Sequence, residues 1–231
     1  MNKSYTFADL VNIIDQLRGE NGCPWDREQT HESLKPCMIE EAYEVVDAVR
    51  ILDETGSWHN LCEELGDVLL QVIMHSRIAE EEGLFTYREV VQGICEKMIR
   101  RHPHVFGQVK ADDAKTVLIN WEEIKRKEKK DMLPLIENPL QEVPHSLPAL
   151  IRTEKVQKKL DNLYGEGQER SESLAAAKDT LQRIGEGVPE EDKEDSYGEL
   201  LWQVVNSARK EHIHPEQALI AFLERKITEK T

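Results

Sequence analysis

Residues 38–71 read MIEEAYEVVDAVRILDETGSWHNLCEELGDVLLQ, two helical patterns joined by the polar turn Glu54-Thr55-Gly56-Ser57. In the first, Glu41 and Glu44 stand three apart, which puts them about one turn from each other on a single face. At ~100° per residue Cys37, Val45 and Ala48 share that stripe. Glu64 and Asp67 repeat the spacing in the second pattern, beside Val68, Gln71 and His75. The turn is short enough for an antiparallel hairpin, which would gather four carboxylates. Such a group repels itself and loses hydration unless a cation sits among its members. Hard divalent ions take oxygen ligands, and Mg²⁺ keeps several waters and bridges to substrate phosphates. The alternative is ordinary solvated helix surface in a chain with 45 Asp and Glu.

Composition narrows the classes. A chain of 231 residues is long enough for one large helical domain or two smaller ones. The net charge of −15 argues against non-specific nucleic-acid or anionic-membrane binding, which needs basic patches. It leaves nucleotides open, because a metal inverts the sign of a local site. Cys23, Cys37, Cys62 and Cys95 show no C-x-x-C spacing, and three of them sit in apolar helical surroundings as small hydrophobes. MNKSYTFADL lacks the apolar stretch of a signal peptide, and no run approaches the ~20 apolar residues of a membrane span, so a cytoplasmic location is expected.

Around the hairpin, Thr6 or Asp9 can cap a first helix bearing Leu10, Val11, Ile13, Ile14 and Leu17, closed at Asn21-Gly22. Cys23-Pro24-Trp25-Asp26 reads as a rigid loop, and Pro36 starts or kinks the next helix. Thr86 with Glu89 forms a capping box for a helix that ends in Arg100-Arg101-His102. Those cations either satisfy the helix dipole or face phosphates. Asp112 or Asp113 caps a further helix through Val117, Leu118, Trp121 and Ile124 to a basic run from Lys125, most of it a solvated face. Four prolines and no helical period mark residues 131–148 as a linker.

E-E-x-x-E (Glu40, Glu41, Glu44) followed by E-x-x-D (Glu64, Asp67) resembles the signature of the MazG family of all-α nucleoside triphosphate pyrophosphohydrolases. NGCPWDREQT at 21–30, RRHPHVFG from Arg100, WEEIK at 121–125 and LPALIRTEKVQKK at 147–159 resemble further family blocks. The resemblance implies an all-α antiparallel helical bundle that cleaves a nucleoside triphosphate between its α and β phosphorus atoms. It implies Mg²⁺, with Mn²⁺ a possible substitute, on Glu41, Glu44, Glu64 and Asp67. Glu40 would orient or deprotonate the water and Asp47 would be an outer-shell ligand. Arg100, Arg101 and Lys125 would meet the phosphates, while Trp25 divides between packing and base contact. The apolar residues wrapped round the second hairpin helix point to burial in a homodimer.

Residues 147–231 echo 1–130 across a linker at 131–146: DSYGELLWQVVNSAR at 195–209 resembles CEELGDVLLQVIMHSR at 62–77. A duplication is expected, with a degenerate second copy. Ser196 and Glu199 stand for Glu64 and Asp67, while Asp179-Thr180-Leu181-Gln182-Arg183 stands for E-E-x-x-E. The competing readings are a non-catalytic nucleotide-binding protein of the same fold and a di-iron or di-manganese carboxylate bundle. The latter would need its E-x-x-H pairs (Glu28–His31, Glu142–His145, Glu211–His214) on long helices.

Overall fold

A computed structural model describes residues 4–109, 113–132, 138–165 and 167–229. The described residues are helical with no strand. The fold is all-α. The chain divides into two compact units, Met1–Lys129 and Lys130–Thr231.

In the first unit, α1 (Phe7–Arg18) opens on a capping box in which Thr6 and Asp9 satisfy each other's backbone donors. It closes on Gly19 rather than at Asn21-Gly22. The Cys23–Asp26 stretch is not a loop. It forms the short helix α2 (Pro24–Glu28), because Pro24 at its first position has the helical φ already set and no N–H to satisfy. The next helix, α3 (Lys35–Thr55), also carries proline in its first turn and ends on Gly56 at φ 72°, a left-handed conformation that glycine adopts without strain. Three residues later α4 (His59–Glu81) runs back along α3, making the long hairpin. The helix α5 (Tyr87–Arg101) starts on the Thr86/Glu89 capping box and leads into the short α6 (Pro103–Phe106). Asp113 accepts from Thr116 at the head of α7 (Ala114–Met132), and Asp112 lies outside the described residues.

The core is small. Val11, Ile14, Leu34, Ile73, Met74 and Ile78 pack where α1, the segment before α3, and the C-terminal half of α4 meet. Leu65 and Leu69, nearer the start of α4, remain exposed in the single chain, as do Ile39, Tyr43, Val46 and Val49 on α3. All four cysteines are free, and Cys62 and Cys95 are exposed rather than packed.

In the second unit, Pro139–Glu142 forms a 3-10 turn, while residues 133–137 of the proline-rich stretch lie outside the described residues. The helix α8 (Ala149–Tyr164) ends on Gly165, again at positive φ. Residues 167–169 precede α9 (Arg170–Glu186), which pairs with α10 (Lys193–Lys210) in a second hairpin. Both α8 and α11 (Pro215–Thr228) pack on α10, and α11 also contacts α8. This interior is unusually polar: Ser173, Thr180, Gln157 and Asn206 are all buried beside Val205. Among the described residues no helix is long and apolar enough to cross a membrane.

Candidate functional site

The α3/α4 hairpin brings Glu41, Glu64 and Asp67 together, with carboxylate oxygens all within 4.8 Å of one another. The three are half-buried. Glu44, one turn beyond Glu41, lies within hydrogen-bond reach of both Glu41 and Glu64. Desolvation, then repulsion from Asp67 and Glu44, raises the Glu41 carboxyl above its ordinary value. Desolvation and the neighbouring Glu44 raise Glu64 likewise. Both shifts have the same cause, acids crowded at a partly desolvated site. All-oxygen donors crowded in this way fit a hard divalent cation. Asn60 donates to Glu64 at 3.2 Å from one turn earlier on α4. Gln71, one turn past Asp67, is buried with its Oε1 unpartnered.

Other expected members stand differently. Glu40 is exposed, in a shallow concavity with Glu32, Lys35, Pro36 and Ile39. Asp47 is held by Arg50 at 2.8 Å. Trp25 projects from α2 with 62% exposure. Arg100 and Arg101 both bind Glu128 on α7, each at 2.6 Å. Arg101 and Lys125 lie over the Trp121 ring, 5.5 and 5.1 Å from its centroid. The cations are thus assembled on the α5/α7 pair around one acid and one indole. Glu128 belongs to the run read as solvated surface, yet hydrogen bonds from Arg101 hold its carboxyl below the usual range. A lone acid within Lys125–Lys130 is the signal that could have found it.

Arg18 is a second residue the sequence pattern does not single out. Its side chain is 5% exposed, binds Glu81 at 2.7 Å, and reaches the carbonyls of Asp26 and Gln29. It therefore pins α2, with Trp25, to the end of α4. His31 follows on the same segment and meets His75 of α4, Nδ1 to Nδ1 at 2.8 Å. His145 and His214 approach Arg152 and Glu154. Among the described residues no group of three metal-ligating side chains includes a histidine, so the E-x-x-H readings gain nothing.

Residues 29–106 match the family model of the MazG nucleotide pyrophosphohydrolase domain, a span that contains the whole acidic hairpin, Arg100 and Arg101. Trp25 and Lys125 fall outside it. Together with relatives matched along most of its length, this makes the chain a member of the MazG family of nucleoside triphosphate pyrophosphohydrolases. One such relative is the nucleoside triphosphate pyrophosphohydrolase/pyrophosphatase MazG of Thermotoga maritima, 38% identical over 213 residues, 92% of this chain and 79% of that one. The nucleoside triphosphate pyrophosphohydrolase of Escherichia coli K12 is 37% identical over 206 residues, 87% and 76% of the two chains. The protein YabN of Bacillus subtilis is 44% identical over 219 residues, covering 93% of this chain. This chain spans 43% of YabN.

Proposed function

We propose that the protein hydrolyses nucleoside triphosphates to the monophosphate and pyrophosphate, using the N-terminal hairpin, as part of nucleotide-pool housecleaning in the cytoplasm. The observation that carries this reading is the convergence of Glu41, Glu64 and Asp67, with Glu44 beside them, inside the family-matched segment. These four carboxylates would hold Mg²⁺, or Mn²⁺ in its place. When bound, the ion would supply charge neutralisation on the phosphates and a more acidic water. Glu44 spans Glu41 and Glu64 and would keep both turned inward, while Asn60 restrains Glu64 from the other side. Glu40, exposed beside the cluster, is the residue assigned to orient or accept a proton from the attacking water. Arg100, Arg101 and Lys125 would take charge from the outer phosphates, for which the arginines must share or release Glu128. Trp25, exposed on the short helix that Arg18 clamps, would offer its indole to the base.

The exposed apolar residues of α3 and α4 support a homodimer, since Leu65, Leu69, Tyr43 and Val46 have no cover within the chain. In the same reading residues 147–231 are a diverged copy of the first half that has given up hydrolysis. The test is pyrophosphate release from a panel of triphosphates with Mg²⁺, beside Glu41→Gln and Glu64→Gln. Turnover that disappears in both variants is expected. Turnover that survives both would remove the hairpin from the chemistry, and triphosphate binding without any release would favour a nucleotide-binding role.

A further inference from the structure

The two units can be laid side by side on internal landmarks. Both α1 and α8 end on a glycine cap, preceded one turn earlier by Asp15 and Asp161. Each of these acids pairs with an arginine of the long helix beside it, Asp15 with Arg77 at 3.4 Å and Asp161 with Arg209 at 2.7 Å. Gly66, Gln71 and Arg77 of α4 then match Gly198, Gln203 and Arg209 of α10. In this register the N-terminal core residues Val11, Ile14, Leu70 and Met74 correspond to Gln157, Leu160, Trp202 and Asn206. Two apolar core positions have become amides, and both amides are buried, at 2% and 3% exposure.

A further member of the N-terminal core has no counterpart. Leu34 is buried among Val11, Ile14 and Met74, and it belongs to the segment 20–34 between Gly19 and α3. In the C-terminal unit four residues, 166–169, stand between Gly165 and α9, and the described ones, Gly167, Gln168 and Glu169, include no apolar side chain to act as a plug. Among the matching residues lies a cavity of about 240 Å³, lined by Gln157, Leu160, Asp161, Gln168, Trp202 and Asn206.

We infer that this cavity is a second ligand site, one that takes a small, planar, uncharged heterocycle bearing N–H donors, of the size and kind of a nucleobase without phosphates. Of the lining side chains, Gln157 alone has a buried polar atom without a partner; Arg209, which binds Asp161 and Asn206 from outside the lining, has its Nε unpartnered as well. Asn206 donates to Ser173 and to the Gln168 carbonyl, and accepts from Arg209. Asp161 is neutralised by Arg209 and Lys210. Gln157 donates to the Trp202 carbonyl at 2.8 Å, but its Oε1 is buried without a partner. A buried acceptor of this kind calls for a donor. The lining holds no cation for a phosphate, and its one carboxylate is already paired twice. Leu160 and Trp202 supply apolar wall, against which a flat ring fits. Space for several water volumes of ~30 Å³ each is more than one bridging water needs.

The test uses the full chain in chelator, so that the acidic hairpin stays metal-free, and calorimetric titration with 9-methyladenine, 1-methylcytosine and 9-methylpurine. The first two carry an amino donor and the third carries none. One-to-one binding of an amino-bearing base is expected, weaker by at least about tenfold for 9-methylpurine and in Gln157→Met, and unchanged in Glu64→Gln. Methionine keeps the length of Gln157 and suits a core position that is apolar in the other unit. Pyrophosphate release by Gln157→Met should stay at the wild-type rate, which separates this site from the hydrolytic one. No binding of either amino base up to ~10 mM, equal binding of 9-methylpurine, or binding that survives in Gln157→Met would each overturn the proposal.

Discussion

In the α3/α4 hairpin, carboxylates crowd together, and desolvation with mutual repulsion raises their pKa; in the α9/α10 hairpin, the stations that the sequence pattern sets against them are Thr180, Arg183, Ser196 and Glu199. There Arg183 binds Glu199 at 2.6 Å and Thr180 at 3.1 Å. One hairpin leaves its negative charge to be balanced by something that can come and go. The other carries its own cation on a side chain, fixed to the helix. The α9/α10 hairpin thus meets its acid with a fixed cation, where α3/α4 gathers acids that would need a diffusible one.

The sharpest way to break that contrast is through turnover. Glu64→Gln takes the negative charge and one oxygen from a proposed ligand, and pyrophosphate release should fall by at least about 100-fold. On the other side, Glu199→Gln, at the station the sequence pattern sets against Asp67, should leave turnover within about twofold. Steady-state rates with saturating Mg²⁺ and triphosphate read both. A comparable loss in Glu199→Gln would show that the second hairpin takes part in the chemistry.

Stability gives a smaller but independent reading. Glu128 is 13% exposed and holds Arg101, itself 15% exposed, so Glu128→Gln leaves a poorly hydrated guanidinium underpaired. A cost of about 1 kcal/mol is expected in denaturant unfolding, allowing for solvent screening. Arg183 and Glu199 are 54% and 46% exposed, and Arg183→Ala should cost less, within ~0.5 kcal/mol. Equal costs would mean that the C-terminal ion pair is more than a surface contact.

How much of this could be read from the residues themselves depends on the distance over which the cause acts. The all-α fold is legible because helical period, the capping boxes at Thr6 and Thr86, and Gly56 are local signals. The meeting of Glu41 with Glu64 and Asp67 follows from two spacings and one short turn. Arg18 to Glu81, His31 to His75 and Arg101 to Glu128 are 63, 44 and 27 residues apart, and nothing local announces them. The helix α2 was hidden by its Pro-Trp-Asp composition, which serves a loop as well as a first turn. The cavity of the C-terminal unit is a different case, because its lining comes from α8, α10 and Gln168, and no local pattern announces their meeting.

Electrostatic strain in the first hairpin has a sign that can be checked. A carboxyl whose folded pKa is raised keeps its proton after the unfolded chain has lost it, so stability falls as pH climbs from the unfolded value through the folded one. For Glu41 and Glu64 the penalty is absent below the ordinary carboxylate value and complete above the raised one. Metal-free Glu41→Gln should therefore melt higher than wild type at neutral pH, by roughly one or two degrees, and the difference should vanish in acid. Adding Mg²⁺ should reverse the order, since the cation then favours the intact cluster. A variant that melts lower than wild type even without metal would mean that the cluster is not strained.

The smallest expected effect separates the units by their histidines. His31 and His75 stack with centroids 5.1 Å apart and share a 2.8 Å Nδ1–Nδ1 contact, which requires one ring to donate and the other to accept. Glu82 faces His31 at 3.8 Å. Burial, then the His31 ring, holds the His75 pKa below its ordinary value. A lowered folded pKa means that the unfolded chain gains its proton first, so the contribution is whole above the ordinary histidine value and is lost as pH falls through it toward the folded value. The position matching His75 in α10 is the buried Ser207, which does not titrate. His75→Ser should thus flatten the pH dependence of stability on the acid side of neutrality by a few tenths of a kcal/mol, and hydrogen exchange should locate the change in α4 and the segment around His31. A flattening that appears instead in α10 would sever the link between this pair and the first unit.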